Sequence, residues 1–256
     1  ISIPEMRKRN YNDSLATASV AAGGILGVLI PPSVLFIIYG IATEQSIGKL
    51  FLSGIVPGIL LTLLFMIAIA INVYRRPELA PRGQRFTWRE RFQALRGAGL
   101  VEVIIVFGLS LGGLFLGWFT PTEAGAVGVA GILLVTWLTK QLNWAGFKQS
   151  LYDTTRTIAM VMFLVVGAVT YGRFISITRI PFELASWIGD LPLPHFVIMG
   201  FILLIYLILG FFIDALALIL LTIPIFYPVV TQELGYDPIW FGVIIVLVAG
   251  MGVITP

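Results

Sequence analysis

The residues of this chain that could do chemistry are mostly backbone groups freed by proline. In the run Gly24-Ile25-Leu26-Gly27-Val28-Leu29-Ile30-Pro31-Pro32-Ser33, neither proline offers an N–H, and Pro31 disfavours helical geometry at Ile30. The carbonyls one turn earlier, around Gly27 and Val28, lose their helical partners. An unpaired backbone group in lipid costs several kcal/mol, so a cation, a water or another helix must satisfy it. Hard cations prefer such oxygen ligands. Beyond the break a second helix is expected, with Ser33 as its N-cap and its positive dipole end available to an anion. One broken helix thus offers carbonyls to Na⁺ and amide N–H groups to a carboxylate. The competing expectation is a proline kink that serves only packing.

A second break is expected at Gly252-Val253-Ile254-Thr255-Pro256, where Thr255 supplies a hydroxyl in place of Ile30. Residues 10–31 align with 235–256 without a gap: Tyr11 meets Tyr236, Gly27 meets Gly252, Val28 meets Val253 and Pro31 meets Pro256. Each block reads as a polar turn, an apolar helix and a Gly-x-x-x-Pro break. Asp214 interrupts a long apolar stretch, where a carboxylate either faces a cavity or partner or tips a hairpin in water. Glu102 and Arg173 suit snorkelling or pairing. Thr120-Pro121-Thr122-Glu123-Ala124-Gly125 reads as a capped turn between two spans. A lone histidine, His195, rules out a histidine cluster, and no HExxH, GxSxG or P-loop pattern is present.

The elements that position these groups follow from composition. Of 256 residues, 58% are hydrophobic and 11% charged, against about 25% charged in soluble domains. Lipid is the solvent that accommodates this apolar surface. There is no cysteine, hence no disulfide framework or thiol nucleophile. Apolar spans are expected at 14–43 (interrupted at Pro31-Pro32), 50–74, 99–119, 124–139, 157–178, 196–230 (two helices or one re-entrant hairpin) and 239–254. The chain, which opens without Met and stops inside an apolar run, is expected to be part of a longer one.

Charge sets the orientation. Arg7, Lys8 and Arg9 precede the first span, and seven arginines (Arg75, Arg76, Arg82, Arg85, Arg89, Arg91 and Arg96) follow the second. Lys140, Lys148 and Arg156 fall where the alternation predicts another cytoplasmic loop. No Lys or Arg follows Arg179. The two Gly-x-x-x-Pro blocks therefore start from opposite sides, as in an inverted-repeat transporter. The polar stretch 75–98 suits either an amphipathic helix on the membrane surface or a solvated loop.

These residues resemble the large membrane subunit of tripartite ATP-independent periplasmic (TRAP) transporters. The resemblance is carried by Ile3-Pro4-Glu5-Met6, Gly24 to Ser33 with Tyr39-Gly40, Glu44 to Phe51, Thr120 to Gly125, Asp214 to Pro228 and Gly250 to Pro256. It implies an all-α polytopic membrane protein of the inverted-repeat, elevator type, with broken helices and a re-entrant hairpin, in the bacterial inner membrane. It further implies Na⁺ as coupling ion and an organic acid anion as substrate (a C4-dicarboxylate, a sialic acid or a similar carboxylate). The partners it implies are a periplasmic substrate-binding protein, a small four-helix membrane subunit and the bilayer, with no nucleic acid. By position it places Na⁺ at Gly27, Ile30, Pro32, Gly210, Gly252 and Thr255, and substrate at Pro31, Ser33, Asp214, Thr255 and Pro256. The implied organisation is 1–47 (end of a first hairpin plus broken helix), 48–98 (scaffold helix and cytoplasmic amphipathic connector), 99–194 (scaffold and arm helices) and 195–256 (second hairpin and second broken helix). Two other readings stay open at this point. A standalone ion-coupled anion transporter or exchanger would work without a soluble partner. A membrane-embedded enzyme would need a convergent acid–base set at one interface, which the sequence does not display.

Overall fold

The computed structural model describes residues 2–81, 87–97, 100–189 and 192–254. Among them the regular elements are all helical: α1 Ser2–Lys8, α2 Asp13–Leu29, α3 Val34–Thr43, α4 Ile47–Arg75, α5 Trp88–Gly97, α6 Leu100–Phe115, α7 Pro121–Leu138, α8 Trp144–Ile177, α9 Ile180–Gly189, α10 His195–Gly210, α11 Ala215–Pro228 and α12 Pro238–Ile254. Five of the described helical stretches are long and apolar enough to cross a membrane. One of these five, Asp13–Thr43, is not a continuous rod, because it contains the gap between α2 and α3. The chain divides into two compact units, Ile1–Pro81 with Phe163–Pro256, and Arg82–Met162.

In the first unit, α2 stops at Leu29. Ile30 is extended (φ −81°, ψ 127°), with its N–H still donating to the Leu26 carbonyl at 2.8 Å. The Pro31–Pro32 peptide is cis. Helix resumes at Val34 once Ser33 caps it, Phe36 N–H donating to Ser33 Oγ at 3.4 Å. α3 ends at Glu44 in the left-handed region (φ 56°), where Gln45 N–H closes onto the Gly40 carbonyl.

Glycines let the other helices approach this break. A Cβ on Gly54 of α4 would lie 2.6 Å from the Phe36 ring and 2.8 Å from the Leu29 carbonyl oxygen, and one on Gly58 would lie 2.7 Å from Ile30 Cγ1. These two glycines are one turn apart, so a single face of α4 receives the break. α10 and α12 cross closely: a Cβ on Gly252 would lie 2.7 Å from the Gly210 Cα. The core beside it is aromatic. Phe36, Tyr39, Tyr206 and Phe241 are all fully enclosed, and the Tyr39 and Tyr206 rings each stand edge-on to Phe241 with centroids 6.5 Å away.

The second unit is built on an antiparallel pair. Val106 packs on Gly131, Ser110 faces Gly128, and Ser110 Oγ donates to the Ala124 carbonyl at 2.6 Å. Thr120 opens α7 with a capping box, its side chain accepting from Glu123 N–H while the Glu123 carboxylate accepts from Thr120 N–H.

Two sequence expectations change, and a third, open between helix and loop, is decided for the described residues. The span drawn at 157–178 begins at Trp144 as α8, because Asn143 accepts from Gly146 N–H and polar residues from Lys148 to Arg156 continue the helix beyond its apolar part. The segment after Arg179, left without an element, is helical from Ile180, with Pro181 tolerated in the first turn. The polar stretch after α4 resolves into a 3₁₀ turn at Pro77–Leu79 and the helix α5.

The α10–α12 crossing gives a stability prediction. Gly252→Ala places a methyl against backbone that cannot rotate away, an overpacking worth about 1–3 kcal/mol. Gly23, whose Cβ would meet nothing among the described residues within 4 Å, should accept Ala with no loss. Thermal unfolding of the detergent-solubilised full-length protein distinguishes them, and equal melting temperatures for the two variants would refute this packing.

Candidate functional site

The freed carbonyls belong to Gly27 and Val28, whose helical partners would be the N–H groups that Pro31 and Pro32 lack. The expected N-cap at Ser33 is present and the residue is 1% exposed, whereas Val34, the first residue of α3, is 56% exposed. Pro31 is buried and Pro32 exposed. Ile30 sends its side chain against Gly58, which leaves only its backbone for chemistry. Gly27 is exposed, and a Cβ there would meet nothing among the described residues within 4 Å.

The stretch 196–230 resolves into α10 and α11 joined by a turn at 211–214. Sixteen residues of α10 rise about 24 Å, short of a ~30 Å hydrocarbon core. Asp214 is the N-cap of α11: it is exposed, and its Oδ1 accepts from Leu216 N–H at 2.9 Å. A carboxylate at a helix N-terminus is favoured by both hydrogen bond and dipole, which accounts for a charge between two apolar helices. Further on, Pro224 and Pro228 lie inside α11, and the missing N–H groups are followed by a π-helical segment at Val229–Glu233.

Gly210 ends α10 next to this turn, and it is the residue in contact with Gly252 near the end of α12. Two residues expected to hold a cation are therefore brought together, backbone against backbone. Thr255 and Pro256, expected at the second break, lie outside the described residues.

Two segments match one another closely. α2 and α12 each have 17 residues, and their first and last residues are both 225 positions apart. Asn12 caps α2 by accepting from Ser14 N–H at 2.9 Å, and Asp237, its counterpart, accepts from Trp240 N–H at 2.8 Å. Asn10 and its counterpart Gly235 are both left-handed, with φ of 59° and 71°. The preceding helical segments end at Lys8 and Glu233, again counterparts. Contacts along α12 come from the end of α2 and from α3. Gly250 packs on Ile25 and Val28, while Gly242 packs on Tyr39, whose hydroxyl donates to the Pro238 carbonyl at 2.6 Å. The end of α12 thus meets α2, and its start meets α3.

Sequence reasoning missed the polar tie at the end of α3. Gln45 Nε2 donates to the Tyr227 hydroxyl at 3.1 Å and to the Thr43 carbonyl at 3.3 Å, and Thr43 Oγ1 donates to the Tyr39 carbonyl at 2.7 Å. Together with the Tyr39–Pro238 bond, this joins α3, α11 and α12 at one end. The available signal was a tyrosine and a threonine within a short apolar helix, both requiring partners once buried. Among the described residues no group of three or more His, Cys, Asp or Glu could hold a metal ion. Ion ligands here would be backbone and hydroxyl oxygens.

The whole chain, residues 1–256, matches the family described as Tripartite ATP-independent periplasmic transporter, DctM component. It is 35% identical, over all of this chain and 59% of the relative, to the C4-dicarboxylate TRAP transporter large permease protein DctM of Pseudomonas aeruginosa. It is 37% identical, over all of this chain and 59% of the relative, to the sialic acid TRAP transporter large permease protein SiaM of Vibrio cholerae. It is 34% identical, over 99% of this chain and 59% of the relative, to the 2,3-diketo-L-gulonate TRAP transporter large permease protein YiaN of Escherichia coli. The chain thus spans about three-fifths of the length of these curated relatives, each of which is named as a transporter permease rather than an enzyme. With the all-helical architecture and the apolar spans, the chain is a multi-pass membrane protein that belongs to the DctM family of TRAP transporter large permeases.

Proposed function

We propose that this chain is part of a sodium-coupled symporter that carries an organic acid anion across the bacterial inner membrane. The anion is delivered by a periplasmic binding protein, and a small four-helix membrane subunit braces the permease. The observation that carries the reading is the match of helices α2 and α12 in length and capping, the first ending at a proline break that removes the helical donors for the Gly27 and Val28 carbonyls. That pairing supports an inverted repeat, in which broken helices meet within the membrane. The donor set fits Na⁺: carbonyl oxygens at Gly27, Ile30 and Pro32 in the first break, and Gly210, Gly252 and the Thr255 hydroxyl at the second. No cluster of acidic side chains would be needed to hold a monovalent ion there.

Substrate in this reading lies between the breaks, near Pro31, Ser33, Asp214, Thr255 and Pro256, with the amino end of α3 facing its carboxylate. Sodium orders both breaks and so completes the anion site. The hairpin α10–α11 and the broken helices then move as a body, in the elevator manner, against a scaffold that includes the outer part of α4 and α6–α7. The names of the relatives support an acid substrate of the dicarboxylate, sialic acid or sugar acid class.

Two measurements test this reading in proteoliposomes holding the full-length permease, its small subunit and its binding protein. Thr255→Ala should raise the Na⁺ concentration needed for half-maximal uptake by about tenfold, the equivalent of one lost ligand at ~1.4 kcal/mol. An unchanged Na⁺ response would contradict the site. Asp214→Asn keeps a good N-cap and removes the charge. Its KM for the anion should shift while its melting temperature holds, whereas an unchanged KM would confine Asp214 to the hairpin tip.

A further inference from the structure

The second unit is strongly asymmetric. Because Val106 lies on Gly131 and Ser110 on Gly128, the start of α6 is level with the end of α7. That end is also reached by α5, which precedes α6, and by the first turns of α8, which opens after the five-residue link 139–143. Arg89 and Arg91 of α5, Lys140 of the α7–α8 turn and Lys148 of α8 are gathered there, all exposed. The opposite end, the α6–α7 turn, carries no Lys or Arg.

Two of the carboxylates at the basic end are engaged by neutral donors, and a third, Glu102 in the first turn of α6, holds a buried Oε2 that meets no donor among the described residues. Glu90 accepts from Thr87 N–H at 2.7 Å and from Thr87 Oγ1 at 2.8 Å, and Asp153 accepts from Gln149 Nε2 at 3.0 Å. Among the described residues, the ion pairs involve Arg7 and Lys8 in the other unit, so these four cations have no carboxylate partner. Aromatic rings that suit a membrane–water interface surround them. Trp88, Trp137 and Trp144 are 74%, 66% and 78% exposed, and the Arg91 guanidinium sits 5.1 Å from the Trp88 ring centroid.

We propose that this end of the second unit, Arg89, Arg91, Lys140 and Lys148 with Trp88 and Trp144, binds the phosphate headgroups of anionic phospholipids. The tryptophans set the depth at the headgroup level, and the unpaired cations meet phosphate oxygens, arginine in bidentate fashion. Attraction of basic residues next to a membrane span to an anionic surface is cumulative and screened by salt.

The test uses the full-length permease in detergent micelles doped with spin-labelled phosphatidylglycerol or phosphatidylcholine. The motionally restricted fraction should favour phosphatidylglycerol by about fivefold at low salt. In Arg89→Gln/Arg91→Gln/Lys140→Gln/Lys148→Gln, and in 0.5 M salt, the preference should fall to about one. Arg7→Gln/Lys8→Gln, which removes the paired cations of the other unit, should leave it intact. Absence of preference in the unaltered protein, its survival in the quadruple variant, or equal loss in the Arg7/Lys8 variant would overturn the proposal. So would an unchanged lipid preference in the quadruple variant accompanied by loss of the co-purifying small subunit, which would make this surface a protein dock.

Discussion

Two adjacent prolines remove two N–H groups from the middle of an apolar helix, and much of the first unit is arranged around the carbonyls they leave behind. A helix in lipid satisfies its own backbone. One that stops at Leu29 and restarts at Val34 cannot, so neighbours must close over the gap. α4 does this with Gly54 and Gly58, which let its backbone come within side-chain distance of Leu29, Phe36 and Ile30. The restarting helix is capped by a buried serine and pinned at its far end by the Tyr39–Pro238 bond. The break is thus held on both sides by packing and hydrogen bonding.

The same economy of side chains marks the second half of the chain. Gly210 and Gly252 touch through their backbones, so the turn after α10 and the end of α12 meet with nothing but peptide groups at the contact. Sites made of main-chain oxygens suit a hard monovalent cation, which needs geometry more than formal charge. In the proposed reading such sites would account for how little titratable chemistry the chain carries. Asp214, the most conspicuous charge in the apolar stretch, is accounted for locally by the N–H it caps.

Much of this was legible in the sequence because proline and glycine act locally. The break at Pro31-Pro32, the cap at Ser33, the turn at Thr120 to Glu123 and the equivalence of the segments before Gly27 and Gly252 follow from missing donors, short polar side chains and backbone conformation. Hydropathy also located the long spans. It failed where helix continues without apolarity, as in the first turns of α8, or where a short helix follows a left-handed arginine, as in α9 after Arg179 (φ 60°). Tertiary ties were not legible: nothing local says that Tyr39 reaches Pro238 or that Gln45 reaches Tyr227, residues 199 and 182 positions away. The contact of Gly210 with Gly252 was suggested only by family position, since two glycines carry no pattern that pairs them.

In the proposed function, carbonyls freed at the Pro31-Pro32 break take up sodium. Melting of the purified full-length permease, titrated with NaCl and in parallel with KCl at matched ionic strength, tests it without requiring the substrate to be known. Selective binding to the folded state raises the transition by mass action. A saturable rise in melting temperature with Na⁺ and a flat response to K⁺ is the expected result. Identical curves in the two salts would contradict it.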